Sequence, residues 1–339
     1  MREVLDRLLD GEDLTVAEAE TLLRQITGGE VDPISAGALL AALRAKGETP
    51  DEVQGFARVM GGLATDPELD ISGAVDVVGT GGDGSGSLNL STGSALLAAA
   101  TGTPVIKHGN RSMTSHSGSA DVLEQLGLPM PLDEGQARRL FAAVGFTFLF
   151  APHYHPAMAA VGPVRRALGV RTVFNILGPL TNPAGPRHLV IGAFDPSAAE
   201  LMAGALAGLD VARAFVIHGS GGWDEPTPIG EFLLFDVTPG RVDRSTRDPA
   251  DLGMARCDPS DLEGGDPAHN ARRLLDVFEG EAGPHRDALV LGAALALEVT
   301  GRAETPESGV AIAGEAIDSG AAHDLVTRLS EFGAAEKTS

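Results

Sequence analysis

Along residues 1–69, apolar positions recur every three or four residues, the period of helices with one buried face. Leu5, Leu8 and Leu9 share such a face near the start. Thr15 with Glu18 three residues later forms a capping box and predicts a second helix. An Ala- and Leu-rich stretch, Ser35 to Ala45, predicts a third. Thr49-Pro50-Asp51-Glu52 supplies a cap, a first-turn proline and two acids ahead of a fourth helix, Val53 to Leu63. The segment therefore reads as about four helices and no strand.

After Asp66-Pro67 the period changes. Val75 to Val78 is a short β-branched run ending in glycine; a glycine- and serine-rich loop follows, then a helix from Ser91 to Thr101. Pro104-Val105-Ile106 predicts the next strand, Lys107 to Ser119 a second glycine- and serine-rich loop, and Ala120 to Leu126 a helix. Phe146 to Phe150, His188 to Phe194 and Arg213 to His218 are further strands; Asp266 to Phe332 is mostly helical, with its strongest run from Asp287 to Thr300. Strands that alternate with helices predict an α/β fold with a mainly parallel sheet flanked by helices on both faces.

Composition narrows the function classes. No run approaches the ~20 apolar residues of a membrane span, and the charged opening Met1-Arg2-Glu3-Val4-Leu5-Asp6 lacks a signal-peptide core, so a cytoplasmic protein is expected. The single cysteine, Cys257, excludes a disulfide framework and a cysteine-based zinc cluster. The net charge of −22 argues against binding nucleic acid or anionic membranes. Lys46, Lys107 and Lys337 are the only lysines; such a surface fits a high-salt cytoplasm or a genome that favours arginine codons.

Three stretches carry chemistry. Gly79-Thr80-Gly81-Gly82-Asp83 follows a strand and precedes a helix opening at Asn89-Leu90-Ser91-Thr92. That order suits a phosphate held by loop amides and a helix N-terminus at the carboxyl edge of a sheet. Gly79, Gly81 and Gly84 also fit a dinucleotide fingerprint, but the loop runs on through Ser85-Gly86-Ser87 and the next strand leads to Lys107 rather than to an acid. The second stretch, Lys107 to Ser115, gathers Lys107, His108 and Arg111 and predicts a local reversal of sign, with nearby hydroxyls for phosphate oxygens. The third is Asp224-Glu225. Adjacent carboxylates on an extended chain point apart, which suits two magnesium ions better than one. Arg165, after Pro163, can bind a carboxylate bidentately, whereas Arg166 reads as a helix-surface residue.

Together these stretches resemble the anthranilate phosphoribosyltransferase family. The resemblance spans nearly the whole chain and is most specific at Gly79–Asp83 with Asn89–Thr92, Lys107–Gly127, Val164-Arg165 onward to Phe174–Pro183, and Asp224-Glu225; Leu43 to Thr49 also matches. It implies transfer of the 5-phosphoribosyl group from phosphoribosyl pyrophosphate (PRPP) to the amino nitrogen of anthranilate, with release of pyrophosphate. It implies a small all-helical domain, residues 1–69 joined by helices from about 155–180, and an α/β PRPP-binding domain, residues 70–339, in the nucleoside phosphorylase/phosphoribosyltransferase-like arrangement. A homodimer through the helical domain follows, as does Mg2+, two ions per site.

By the same resemblance Gly79, Gly82, Asp83, Ser87, Asn89, Ser91, Thr92, Lys107, Ser115 and Ser119 contact PRPP. Gly79, Asn110 and Arg165 hold anthranilate, and Ser91, Asp224 and Glu225 hold metal; no general base is assigned, and His108 is a possible contact. Leu88, Thr114, Trp223 and Gly292 depart from the family's usual residues, and Ser87 stands where threonine is usual. A pyrimidine nucleoside phosphorylase usually has a lysine-histidine-serine start to the glycine loop, where Val77-Val78 stands here, and a further carboxyl-terminal domain. A transferase for another aromatic amine remains an alternative. A nucleic-acid-binding relative of the fold would need a basic stripe.

Overall fold

The computed structural model describes residues 1–112 and 117–337. Four helices open the chain: α1 (Arg2–Leu9), α2 (Val16–Thr27), α3 (Pro33–Lys46) and α4 (Pro50–Gly62). Both expected capping boxes form, Thr15 with Glu18 and Thr49 with Glu52. Glu52 is wholly buried because its cap doubles as a tertiary tie. Its carboxylate accepts from the Thr49 and Leu14 amides, both at 2.9 Å, and from Lys46 at 3.1 Å.

The remainder is a seven-stranded sheet with flanking helices. Its strands are β1 (Val75–Gly79), β2 (Val105–Gly109), β3 (Phe146–Phe150), β4 (His188–Gly192), β5 (Arg213–His218), β6 (Phe232–Thr238) and β7 (Arg241–Arg247). Their order is β3-β2-β1-β4-β5-β6-β7; β1 to β5 are parallel and the last two antiparallel. The helices after α4 are α5 (Leu90–Ala100), α6 (Ser119–Gln125), α7 (Glu134–Val144), α8 (Ala151–Tyr154), α9 (Met158–Leu168), α10 (Phe174–Leu177), α11 (Pro196–Ala207), α12 (Pro267–Phe278), α13 (Pro284–Val299), α14 (Pro306–Asp318) and α15 (Ala321–Glu336). Among the described residues no helix is long and apolar enough to cross a membrane.

The sheet divides two cores. Val75, Val77, Val190, Phe215 and Ile217 face one, with α5, α12, α13 and α15. Val78, Leu189, Ile191 and Val216 face the other, with α11, the amino-terminal helices and Val161, Val164, Phe174 and Ile176. This alternation is the two-residue period of strands buried on both faces. Helix α9 lies against α2 and α3, and α10 against α4. Helices α5 and α13 pack so closely that a Cβ on Gly292 would stand 2.3 Å from Ser94 Oγ, which accounts for glycine at that position.

Strand order reverses at β1: the chain runs outward one way through β2 and β3, the other way through β4 and β5. Such a switch point leaves a crevice at the carboxyl ends of the strands. Two sequence expectations need correction. Lys107 and His108 are strand residues of β2 rather than loop, since β2 continues to Gly109. The β6–β7 hairpin has no counterpart in the sequence reading, because β7, Arg-Val-Asp-Arg-Ser-Thr-Arg, is exposed along nearly its whole length and lacks apolar alternation.

Candidate active site

At the switch point a loop from β5 crosses the carboxyl ends of β1 and β4 and brings Asp224 and Glu225 with it. The crossing is close. A Cβ on Gly79 would meet Asp224 Oδ2 at 2.4 Å, one on Gly192 would meet the Asp224 carbonyl oxygen at 1.5 Å, and one on Gly219 would meet the Glu225 carbonyl oxygen at 2.1 Å. Trp223 is extended, and the two carboxylates diverge from it. Asp224 accepts from the Gly81 amide at 2.6 Å and from Thr80 Oγ1 at 3.4 Å. Glu225 accepts from the Ser91 amide in the first turn of α5 at 3.0 Å and from Ser87 Oγ at 3.2 Å.

Asp83 supplies a third carboxylate, accepting from the Asp224 amide at 3.4 Å. Burial, and next the charge of Asp83, push Asp224 up to about 7; burial, then Asp224 and Asp83, hold Glu225 well above the usual carboxylate range. Lys107 is 2% exposed beneath them, donating to the Val77 carbonyl and, at 3.4 Å, to Ser91 Oγ. Its burial lowers its pKa against the opposing pull of Asp76, Glu225 and Asp224. Asp76 is itself buried and pushed up to about 6 by desolvation, while Lys107 and Asn182 pull it down.

Among the described residues the expected reversal of sign is therefore absent. Lys107 is sequestered under acids; His108 is held down to about 3 by burial, then by His155, and is neutral. Arg111 is spent on Asp121 at 2.7 Å and on both oxygens of Glu124. Among the described residues no three His, Cys, Asp or Glu side chains converge to hold a cation alone. Hard carboxylates short of positive charge fit a magnesium ion that completes its octahedron with phosphate oxygens and water.

The glycine loop is pinned at both ends. The Thr80 amide donates to the Gly192 carbonyl at 3.0 Å. Farther on, Leu88 donates to the Leu262 carbonyl at 3.0 Å, the Gly264 amide to the Gly86 carbonyl at 2.9 Å, and Ser87 bridges Glu263. Asn89 stands at the N-cap position of α5, without a side-chain cap bond, and links three segments: it donates to the Ser117 carbonyl at 3.0 Å and accepts from Asn270 at 2.9 Å. Asn270 is buried and accepts from the Gly265 amide at 2.6 Å. Ser119 opens α6 and donates to the Asn110 carbonyl at 3.1 Å. Thr92 is wholly buried, and its hydroxyl has no partner among the described residues. Ser115 lies outside the described residues. Leu88 and Trp223 are buried in the core, so neither departure faces the cleft.

A second cluster surrounds Phe174–Asn182. The rings of His108 and His155 meet at a tilt of 54° with centroids 5.1 Å apart, and His108 Nδ1 lies 3.2 Å from the Gly178 carbonyl. Asn182 donates to Asp76 and to the Ile106 carbonyl, both at 2.8 Å. Arg165, on α9, lies 5.6 Å over the Phe174 ring; burial lowers its pKa, and no acid pairs with it among the described residues. Arg166 is exposed, as its surface reading anticipates. Asn110 is exposed and accepts from the Arg111 amide at 2.7 Å. Sequence reasoning missed Gly192, Gly219, Asp76, His155 and Asn270, and gave Asn182, within the matched stretch Phe174–Pro183, no role. The glycines ending or following the β4 and β5 runs were the available signal for the first two; the others are defined by long-range partners.

Comparisons with known proteins agree with this fold. Residues 2–62 match the model described as "Glycosyl transferase family, helical bundle domain" and residues 72–323 the one described as "Glycosyl transferase family, a/b domain". The anthranilate phosphoribosyltransferase of Desulforudis audaxviator is 48% identical over 98% of this chain and 96% of its own; that of Methanosarcina acetivorans is 47% identical over 98% and 89%. The crystal structure of the Thermus thermophilus enzyme superposes with a TM-score of 0.91 at 41% identity, covering 97% of this chain and 99% of its own. The Saccharomyces cerevisiae enzyme, solved in complex with PRPP and Mg, gives a TM-score of 0.88 at 25% identity, covering 98% and 97%. The chain belongs to the anthranilate phosphoribosyltransferase family.

Proposed function

From that membership we propose that the protein joins the amino nitrogen of anthranilate to C1 of PRPP and expels pyrophosphate. The observation that carries the reading is the placement of Asp224 and Glu225, buried beside the half-buried Asp83 against the glycine loop and the start of α5 with too little positive charge to balance them. Ser91, Asp224 and Glu225 would hold Mg2+, two ions per site, and when bound the metal neutralises the leaving pyrophosphate.

The chain's own groups divide the remaining work. Gly79, Gly82 and Asp83 present loop amides to the phosphates, with Ser87, Asn89, Ser115 and Ser119 around them. Thr92 supports the first turn of α5 from within, and Lys107 anchors that turn through Ser91. Asn110 and Arg165 orient anthranilate, the unpaired guanidinium facing its carboxylate, so that the neutral amine meets C1. That amine is already nucleophilic, so no covalent enzyme intermediate is needed. His108 is neutral and buried, a contact rather than a proton carrier. Residues 1–69 with the helices from about 155–180 form the helical unit, which carries exposed Leu9 and Ile34 and pairs two copies; residues 70–339 form the PRPP-binding unit.

The test mixes protein, Mg2+, PRPP and anthranilate and follows anthranilate fluorescence. Loss that requires both PRPP and metal supports the reading. Consumption of PRPP only with another acceptor refutes it.

A further inference from the structure

Arg171 lies between α9 and α10. Its guanidinium stands 4.1 Å over the ring of Phe194, a cation–π geometry that fixes its plane. From there Nη2 donates to the Gly82 carbonyl at 2.6 Å. Gly82 has φ +72°, a left-handed conformation open to glycine, and the Arg171 bond holds its carbonyl. The peptide that begins at the Gly82 carbonyl ends at the Asp83 amide. Because it is planar and trans, holding the oxygen on one side points the N–H to the other. That N–H has no partner among the described residues, while the Asp83 carboxylate is held by Ser85 and by the Asp224 amide. The carbonyl of Arg171 in turn accepts from Arg44 of α3.

We propose that Arg171 is a positioning residue for the phosphate loop: by holding the Gly82 carbonyl it aims the Asp83 amide at the phosphates, and through Arg44 it couples that aim to the helical unit. The inference rests on the proposed function, since it presumes PRPP in the loop. Arg171 touches no reacting atom; it acts through the peptide it orients.

The experiment measures binding of PRPP with Mg2+, and separately of anthranilate, by calorimetry on the full-length protein, with melting temperature as a control. Arg171→Ala should weaken PRPP about tenfold, the scale of one charge-assisted hydrogen bond, and leave anthranilate binding within about twofold. Arg171→Lys should recover part of the loss, since an ammonium can reach the carbonyl but lacks the stacked plane. Phe194→Leu keeps the cation, removes the stack and should weaken PRPP about threefold; it serves if Arg171→Ala fails to fold. Unchanged PRPP affinity in folded Arg171→Ala, or in Phe194→Leu where that variant substitutes for it, would overturn the inference. So would equal losses for both substrates. Wild-type protein that binds no PRPP would instead overturn the functional reading.

Discussion

The two ends of β5 carry opposite arrangements of charge. At its amino end Arg213 holds Asp236 with two bonds of 3.0 and 2.6 Å, and Arg247 holds Glu298 with two of 2.7 Å. Both guanidiniums lie over the ring of Phe215, at 4.7 and 5.4 Å. Two cations meet two anions, and every carboxylate there has a bidentate partner. Beyond its carboxyl end Asp224 and Glu225 lie over the buried ammonium of Lys107, with Asp83 beside them. Balanced ions hold a fold together; ions left unbalanced in a buried place raise the energy of the empty protein and are relieved by a ligand of opposite charge. The difference in balance, rather than the number of charges, separates scaffold from site.

The strongest way to break this contrast is to neutralise the unbalanced end. Asp224→Asn with Glu225→Gln should lower kcat/KM for PRPP by at least about 100-fold, because the groups that recruit the leaving-group charge partner are gone. Steady-state rates against magnesium concentration check it, and rates within a few-fold of wild type would remove the acids from the site. The balanced end should respond in the opposite currency. Glu298→Gln leaves Arg247 without its anion and should cost on the order of 2 kcal/mol in stability, less than a fully buried pair because Arg247 is partly exposed. Urea unfolding reads that loss, and the Michaelis constants should not move.

Arg165 extends the contrast to the cations. It is half-buried without an acid, whereas Arg111 is fully engaged. Arg165→Ala should raise the anthranilate KM about tenfold or more and spare PRPP binding. A normal anthranilate KM in that variant would move the acceptor pocket elsewhere.

Local features of this molecule were legible in its sequence and pairings across the fold were not. The boxes at Thr15 and Thr49 close within one turn, so they were readable as written. The parallel strands announced themselves as short apolar runs, β-branched and ending in glycine at β1 and aromatic at β3. The hairpin of β6 and β7 turns at Pro239-Gly240, a turn signal that the charged sequence of β7 obscured. At the site the glycine loop was found by its order between strand and helix, and the acids at 224 and 225 only through the phosphate-binding edge that loop implied. The sign of the site was misjudged because the partners of Arg111 stand ten and thirteen positions away, and those of Lys107 come from β1 and the loop after β5. Asn270, 181 positions from Asn89, had no signal in one chain read alone.

The subtlest consequence concerns pH. The carboxyl of Asp224 has its folded pKa raised from 3.8 to about 7, chiefly by burial, and Glu225 is raised as well. In that window the folded protein binds more protons than the unfolded chain, so stability contributed by the protonated acids is present at low pH and lost as pH rises through the folded values. The unloaded wild type should thus lose ground to Asp224→Asn with Glu225→Gln between pH 5 and 8, with the gap in melting temperature growing by roughly 3 °C. PRPP with Mg2+ should close the gap from the wild-type side alone, since the double variant lacks the charges that the metal relieves. Melting curves at the two pH values, with and without the ligands, decide it: a gap that does not grow with pH would mean that these carboxylates are already balanced, and that the two ends of β5 do not differ as described.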